Sequence, residues 1–537
     1  MSENQKKEKL FQEFPPVSTE AWEEKIHQDL KGKSYEKKLI WNTPEDFHVR
    51  PYYRAEDLKN LKHLSYKPGE FPYARGNKPN HNDWNVRQDI RVHTVKDANT
   101  KALDILSRGV NALGFHLQEV PVFNRQMLDE LLQDICIEAI TLHFSGVANP
   151  EDFLRIFLEK ISQDGIQFGN LKATIDYAPL AKLIQEGNFG DDTEAAAFEK
   201  ASALIDQSRD YPELKVLEVH GEHYHNAGAT LVQELGYALA EGAEYMTAMT
   251  ERGHRADEAV KALQFNFAVG SVYFMEIAKI RAARLLWAQI ANAYKPENQE
   301  RTKMNVHSVT SDWNKTVYDP YNNMIRTTTE AMSAAIGGAE SLTVKPYDTI
   351  YRDPSEFSER IARNQQIILK EEAHFDKVAD PAGGAYYIEN LTASMAQHAW
   401  NIFLEIQNAG GFLKAFKTGT IQEKIRESAQ KRDMNLAQRK KILLGTNQFP
   451  NAKEVMDQDI PESVVQPDEP ANNAERVAEP VVPYRGAMKF EQLRLQTDRS
   501  NKNPKVFMLK VGHPATRTAR SQFAANFFGC AGYEILD

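Results

Sequence analysis

Cysteine is nearly absent: Cys136 and Cys530 are the only two in 537 residues, and they lie far apart. Two such residues make neither a disulfide framework nor a thiolate metal cluster, and this usage fits a reducing compartment. Long apolar runs are also missing. No window approaches the roughly 18 uncharged apolar residues of a membrane span, and the opening MSENQKKEKLFQEFPP lacks the apolar centre of a secretory signal. A cytoplasmic location is therefore expected. Nor is there an excess of basic charge: 65 Lys and Arg face 75 Asp and Glu, a formal charge of -10. That disfavours nucleic acid as the main partner, because neutralising phosphates calls for a basic face.

What is present is an ordinary globular composition, 42% hydrophobic and 26% charged. The length implies at least two folded units unless one is a large barrel. Residues 1–50 read as a polar arm with a helical candidate at 18–29, opened by a Ser-Thr cap signal. Beyond it, β-rich runs at 86–95, 111–117, 137–144, 171–177, 214–219, 264–269, 304–309 and 341–344 alternate with amphipathic helical stretches. Strand-then-helix repetition implies parallel strands with crossovers. The fold class is α/β, with residues 51–415 as a (β/α)8 TIM barrel and a doubly wound open sheet as the alternative. Residues 416–456 read as a helical extension. Residues 457–483, rich in Asp, Glu and Pro and free of aromatics, read as a solvated linker. In 484–537 a strand, a helix and a second strand follow, the opening of an α/β domain that is truncated or packs on another surface.

His220-Gly221-Glu222-His223-Tyr224-His225-Asn226 puts three imidazoles into six residues directly behind the run 214–219. Downstream, Asn226 is placed to cap a helix whose stripe is Leu231, Val232, Leu235 and Leu239, and Gly242 to end it. The histidines then occupy a strand-to-helix loop, where barrels carry their chemistry. On an extended chain His223 and His225 share a face and His220 points away. Three readings stand at this point: a metal arm completed by His143 and His307, histidines bonded to backbone at the barrel rim, or a histidine that touches an organic ligand. Gly337-Gly338 and Gly383-Gly384 suit sharp turns or close approach to a phosphate. Arg281, Arg284 and Arg326 suit either bidentate anion holding or a solvated helix face.

Four runs carry a resemblance: Asp319-Pro320-Tyr321-Asn322-Asn323-Met324-Ile325-Arg326-Thr327-Thr328, Phe357-Ser358-Glu359-Arg360-Ile361-Ala362-Arg363-Asn364, Ile277-Ala278-Lys279-Ile280-Arg281-Ala282-Ala283-Arg284 and Asp380-Pro381-Ala382-Gly383-Gly384-Ala385-Tyr386-Tyr387. From about residue 50 to the end, the chain resembles the cobalamin-dependent methylmalonyl-CoA mutases. The resemblance implies an acyl-CoA-binding barrel followed by a flavodoxin-like cobalamin domain. It also implies an isomerase that interconverts methylmalonyl-CoA and succinyl-CoA by radicals. His223-Tyr224-His225-Asn226-Ala227-Gly228-Ala229 matches the family pattern His-x-x-x-Ala-Gly-Ala, so His223 stands at the catalytic histidine.

The surroundings depart from the catalytic pattern. Between Arg75-Gly76 and Trp84 no tyrosine occurs, and the family's Arg-Thr-His-x-Gln-Thr-Ser-Gly-Trp becomes Asn305-Val306-His307-Ser308-Val309-Thr310-Ser311-Asp312-Trp313. His307 survives there and, with Arg326, is the candidate substrate-binding pair. The places of the cobalt-ligating Asp-x-His-x-x-Gly fall at Ala515, Arg517 and Arg520, with His513 nearby but without the aspartate and glycine. The resemblance thus implies a small, non-catalytic subunit. Its partner would be a homologous catalytic large subunit carrying acyl-CoA and adenosylcobalamin, with no cofactor-binding or metal residue on this chain. The rival readings are a self-sufficient mutase barrel that borrows a cobalamin domain, and a metal-dependent hydrolase on His143, His223, His225 and His307.

Overall fold

The computed structural model describes residues 13–120, 122–456, 460–467, 475–500, 502 and 504–536. Helix α1 (Thr19–Leu30) is capped by Ser18, whose Oγ accepts from the Ala21 amide at 3.2 Å, and it buries none of its side chains. The arm is tied down farther along. Glu45 accepts from the Val232 amide at 2.9 Å, and Phe47 and Val49 enter the main core.

Strands β1 (Asn85–Arg91), β2 (Ala112–His116), β3 (Thr141–Ser145), β4 (Lys172–Ile175), β5 (Leu214–Lys215 and Leu217–His220), β6 (Leu263–Val269), β7 (Val306–Thr310) and β8 (Ser341–Thr343) pair in parallel, each with the next, and β8 pairs with β1. Closure runs through a switch in β5. Its first half lies on β4 and its second on β6, with Val216 at the break donating to the Ala262 carbonyl at 3.0 Å. This is the (β/α)8 barrel, not the open sheet.

Residue parity sorts the strands into two faces. Val86, Leu113, Phe115, Leu142, Phe144, Leu217, Val219, Phe265, Phe267 and Leu342 are buried among the apolar side chains of the main core. The alternate positions hold Arg87, His143, Thr174, Glu218, Gln264, Asn266 and His307, also buried, and the half-buried Asp89. Barrel interiors usually carry layers of branched apolar residues; this one is polar. Gly114 makes room for it, since a Cβ there would lie 2.9 Å from Arg87 Nε and against an Asp89 oxygen.

Around the barrel run α2 (Val95–Leu106), the short α3 (Gly221–Asn226), α4 (Leu231–Glu251), α5 (Tyr273–Ala293), α6 (Asn322–Gly337), α7 (Glu356–Ile367), α8 (Tyr386–Asn408) and α9 (Thr420–Ala437). Two boundary expectations are corrected. Thr230, not Asn226, caps α4 in a box with Gln233, because the chain first completes the turn of α3. Gly242 lies inside α4 rather than at its end. Its missing Cβ lets the helix approach Phe265 and Trp287, which a Cβ would meet at 2.7 and 2.9 Å.

Arg281 and Arg284 are not on a solvated face. Arg281 is wholly buried against Asp380 and Glu389, and Arg284 donates to the carbonyls of Tyr73, Gly337 and Gly338. That second set takes up the Gly337-Gly338 pair, while at Gly383-Gly384 the Gly384 amide donates to Glu389 Oε1 at 2.8 Å.

The described parts of 457–483 are not a solvated linker either. Ile460 and Val465 pack with Val317 and Leu495, Ala478 and Val481 join the main core, and the Val481 amide donates to Ile184 O at 2.7 Å. Asp457, Asp459, Asp468, Glu469 and Pro470 lie outside the described residues. Near the C-terminus β9 (Lys505–Phe507) pairs in parallel with β10 (Glu534–Leu536) across α10 (Pro514–Gly529). No helix among the described residues is long and apolar enough to cross a membrane.

Candidate functional site

Inside the barrel the polar side chains bond chiefly to one another. Arg87 Nε donates to Asp89 Oδ1 at 2.6 Å, and its Nη2 reaches His143 Nδ1 at 3.0 Å. A guanidinium has only protons to give, so Nδ1 is the acceptor and the His143 proton sits on Nε2. That Nε2 meets Glu218 Oε1 at 2.6 Å. Glu218, with no exposed surface, also accepts from Gln264 at 3.3 Å and from Asn266. Gln264 Oε1 in turn accepts from Thr174 at 3.1 Å. One carboxylate thus ties together β3, β5 and β6 across the lumen.

At the end of β5 the network rises into the histidine stretch. His220 Nδ1 lies 2.7 Å from Glu222 Oε1, and its Nε2 lies 3.1 Å from Asp176 Oδ1. Serving two carboxylates needs protons on both nitrogens. Burial opposes the charge, but Glu222 and Asp176 override it and hold the His220 pKa well above its ordinary value. Asp176 is half-buried, which opposes its charge, yet the His220 cation brings its pKa down to about 2.

Helical folding of 221–226 replaces the expected two-residue period with one near three and a half, which changes the partners of the histidines. His220 and His223 are the pair: their rings stack at 4.9 Å between centroids and 7° between planes. His225 points elsewhere, into a buried contact with Ser311 Oγ at 2.8 Å and Glu234 at 3.3 Å. The expectation that His223 and His225 share a face is thereby corrected.

His223 Nε2 meets Gln185 Nε2 at 3.0 Å, so Nε2 accepts, and its buried Nδ1 has no partner. Burial pulls its pKa down to about 4, and the neighbouring His220 charge adds to that effect. A cationic ring and a neutral ring thus stack at the mouth, the neutral one with a nitrogen in reserve.

His307 is buried in the lumen, its Nδ1 2.7 Å from Ser341 Oγ. Burial and then the Arg87 charge push its pKa well below the ordinary value. Arg326 lies on α6, donating to Thr316 Oγ1 at 2.9 Å, Asn323 Oδ1 at 2.7 Å and Leu444 O at 2.7 Å. The four histidines of the hydrolase reading do not converge. His143 groups with Asp176 and Glu218, His223 with His220 and Glu222, while His225 and His307 join neither group. Sequence reading missed Asp89, Glu218, Gln264 and Asn266; for the last three the signal was there in the polar alternate positions of Leu217-Glu218-Val219-His220 and Leu263-Gln264-Phe265-Asn266.

The model of a family described as methylmalonyl-CoA mutase matches residues 42–125 and 120–480. The chain is 47% identical over 534 residues to the methylmalonyl-CoA mutase small subunit of Porphyromonas gingivalis, covering 99% of this chain and 85% of that one. It is 32% identical over 548 residues to the small subunit of Streptomyces virginiae, covering 98% and 84%. Against the large subunit of Porphyromonas gingivalis the identity is 30% over 457 residues, covering 80% and 64%. With the barrel, the His223 motif and these matches together, the chain belongs to the methylmalonyl-CoA mutase family.

Proposed function

We propose that this chain is the small, non-catalytic subunit of a cytoplasmic methylmalonyl-CoA mutase, pairing with a homologous large subunit that carries acyl-CoA and adenosylcobalamin. The observation that carries the proposal is a contrast within one organism. Identity to the small subunit of Porphyromonas gingivalis is 47% over 99% of the chain, against 30% over 80% for the large subunit. The lumen supports it physically. A molecule threaded along the barrel axis has to break the hydrogen bonds that Arg87, His143 and Glu218 make with one another. Breaking a buried network leaves uncompensated charge, which is costly.

The family is cobalamin-dependent, and this chain does not fit the group. Ala515, Arg517 and Arg520, at the axial-ligand places, are exposed on α10, and neither a methyl group nor a guanidinium offers cobalt a lone pair. His513 is exposed and precedes Pro514 without a partner aspartate. We take 51–415 as the barrel, 416–456 as a helical extension and 484–537 as a degenerate cobalamin-type segment.

A second reading, a mutase barrel served by a cobalamin domain from another chain, is favoured by one feature: the unpartnered His223 Nδ1 at the mouth. In it His223 is the catalytic residue, with His307 and Arg326 holding substrate. Producing the chain alone and together with a large subunit tests both. Alone it is expected to show no corrinoid absorbance and no isomerisation; with the large subunit it forms an active heterodimer. Isomerisation by the isolated chain overturns the first reading. Saturable acyl-CoA binding that His223→Ala abolishes would establish the second.

A further inference from the structure

A cavity opens through a seam in the barrel wall. β8 is only three residues long and pairs with β1 at Asn85, Val86 and Arg87. β1 continues to Arg91 along β2, so residues 88–91 have no strand on the β8 side. After Val344 the chain reaches Pro346 and then Pro354, neither of which can donate to a ladder. The gap between β1, α2 and α7 is a cavity of about 420 Å³. That lies within the usual size range of ligand pockets, about 300–1,000 Å³.

Two buried polar groups in its lining lack partners. Arg363 on α7 is 7% exposed; its Nη1 donates to Gln88 Oε1 at 3.1 Å, but its Nε has no acceptor, and no carboxylate forms an ion pair with it among the described residues. Thr343 Oγ1, 6% exposed, also lacks a partner. The other lining cations are already matched: Lys101 with Glu359 at 2.6 Å, Arg87 with Asp89 at 2.6 Å, Arg91 with Asp353 at 2.8 Å and Lys345 with Asp312 at 2.5 Å, while Asp97 at the helix start accepts from Thr94 Oγ1 at 2.7 Å and forms no ion pair among the described residues. Arg363 is therefore the lining cation without a direct ion pair among the described residues, favoured only by the Asp104 and Glu359 charges from beyond ion-pair distance, and a guanidinium buried without its full set of partners is costly. The rest of the lining includes Ile90, Ala98, Val344 and Ala362, which is apolar.

We propose that this seam binds a small organic carboxylate, its oxygens on the Arg363 guanidinium and the Thr343 hydroxyl and its aliphatic body against Ile90, Ala98 and Ala362. A guanidinium with an unused Nε–H suits a planar two-oxygen acceptor. The site is separate from the His220–His223 pair and does not depend on the subunit assignment.

Calorimetric titration of the full chain with hexanoate tests it, with neutral hexanamide and inorganic phosphate as comparisons. Hexanoate is expected to saturate a single site and hexanamide to bind at least about tenfold more weakly. Arg363→Gln should weaken hexanoate roughly tenfold to a hundredfold, the range of a charge-assisted hydrogen bond, and Arg363→Lys should recover part of that loss. Ala362→Leu, which fills the cavity and leaves the guanidinium in place, should abolish binding; it decides the matter if Arg363→Gln does not fold. Absence of saturable hexanoate binding overturns the proposal, as does binding that Ala362→Leu leaves unchanged. Phosphate binding tighter than hexanoate would overturn the carboxylate assignment.

Discussion

The rings of His220 and His223 lie face to face, 4.9 Å apart and within 7° of parallel, one held as a cation and the other neutral. His220 bridges Glu222 and Asp176, whereas His223 has a glutamine on one nitrogen and nothing on the other. Burial is the main cause that keeps the His223 ring neutral, and the His220 charge stacked on it adds to the effect, because two stacked cations would repel.

Nuclear magnetic resonance of histidine-labelled protein should show this directly. His223 stays neutral as the pH is lowered and titrates only near about 4, whereas His220 stays doubly protonated through neutral pH and beyond. A His223 titration at the ordinary value near about 6.5 contradicts the structure.

Stability should follow with opposite signs. The folded pKa of His220 is raised, so its contribution is fully present below about pH 6.5 and disappears as the pH rises through the folded value. The folded pKa of His223 is depressed, so between about 6.5 and about 4 the unfolded chain takes up a proton that the folded chain refuses, and stability falls as the pH falls. Melting temperatures of His223→Gln should therefore lose part of the acid-side decline, and those of His220→Gln part of the decline toward high pH.

Glu218 is the hub of the lumen, in contact with His143, Gln264 and Asn266 and 3.5 Å from His220 Nε2. Glu218→Ala leaves these donors buried without an acceptor. The expected loss is about 3–5 kcal/mol by urea unfolding, the range for removing one partner of a buried charged network. Glu218→Gln keeps the shape and should lose less.

Gly114→Ala tests whether the polar interior depends on a missing side chain. The new Cβ lands against the Asp89 carboxylate and 2.9 Å from Arg87 Nε, so the ion pair must shift. Overpacking of this kind costs about 1–3 kcal/mol, and the variant should unfold at correspondingly lower urea.

Strand order and barrel closure were legible in the sequence because each β-rich run is separated from the next by an amphipathic helix, and all eight runs appear as barrel strands. The histidine stretch was legible in place but not in geometry. Its residues were expected to extend from β5, and local sequence does not reveal that 221–226 closes a helical turn before Thr230 opens α4. Gly242 looked like a stop because glycine commonly ends helices; its reason is a tertiary contact with Phe265 and Trp287, invisible to local pattern. The stretch 457–483 looked solvated by composition, yet Ile460, Val465, Ala478 and Val481 are buried against partners far away in the sequence.

Zinc should not bind at His220, Glu222 and His223, although their ligand atoms lie within 4.8 Å of one another. Imidazole lone pairs lie in the ring plane, so two stacked parallel rings aim theirs side by side rather than at a common point. His220 has no lone pair to offer while it is doubly protonated, and freeing one means removing a proton that Asp176 and Glu222 both stabilise. Only the Nδ1 of His223 and one oxygen of Glu222 are without partners, too few for a tetrahedral site. Melting curves at pH 7 with micromolar zinc and with chelator should coincide. A zinc-dependent rise in melting temperature that His223→Gln removes would mean that the rings rotate out of their stack.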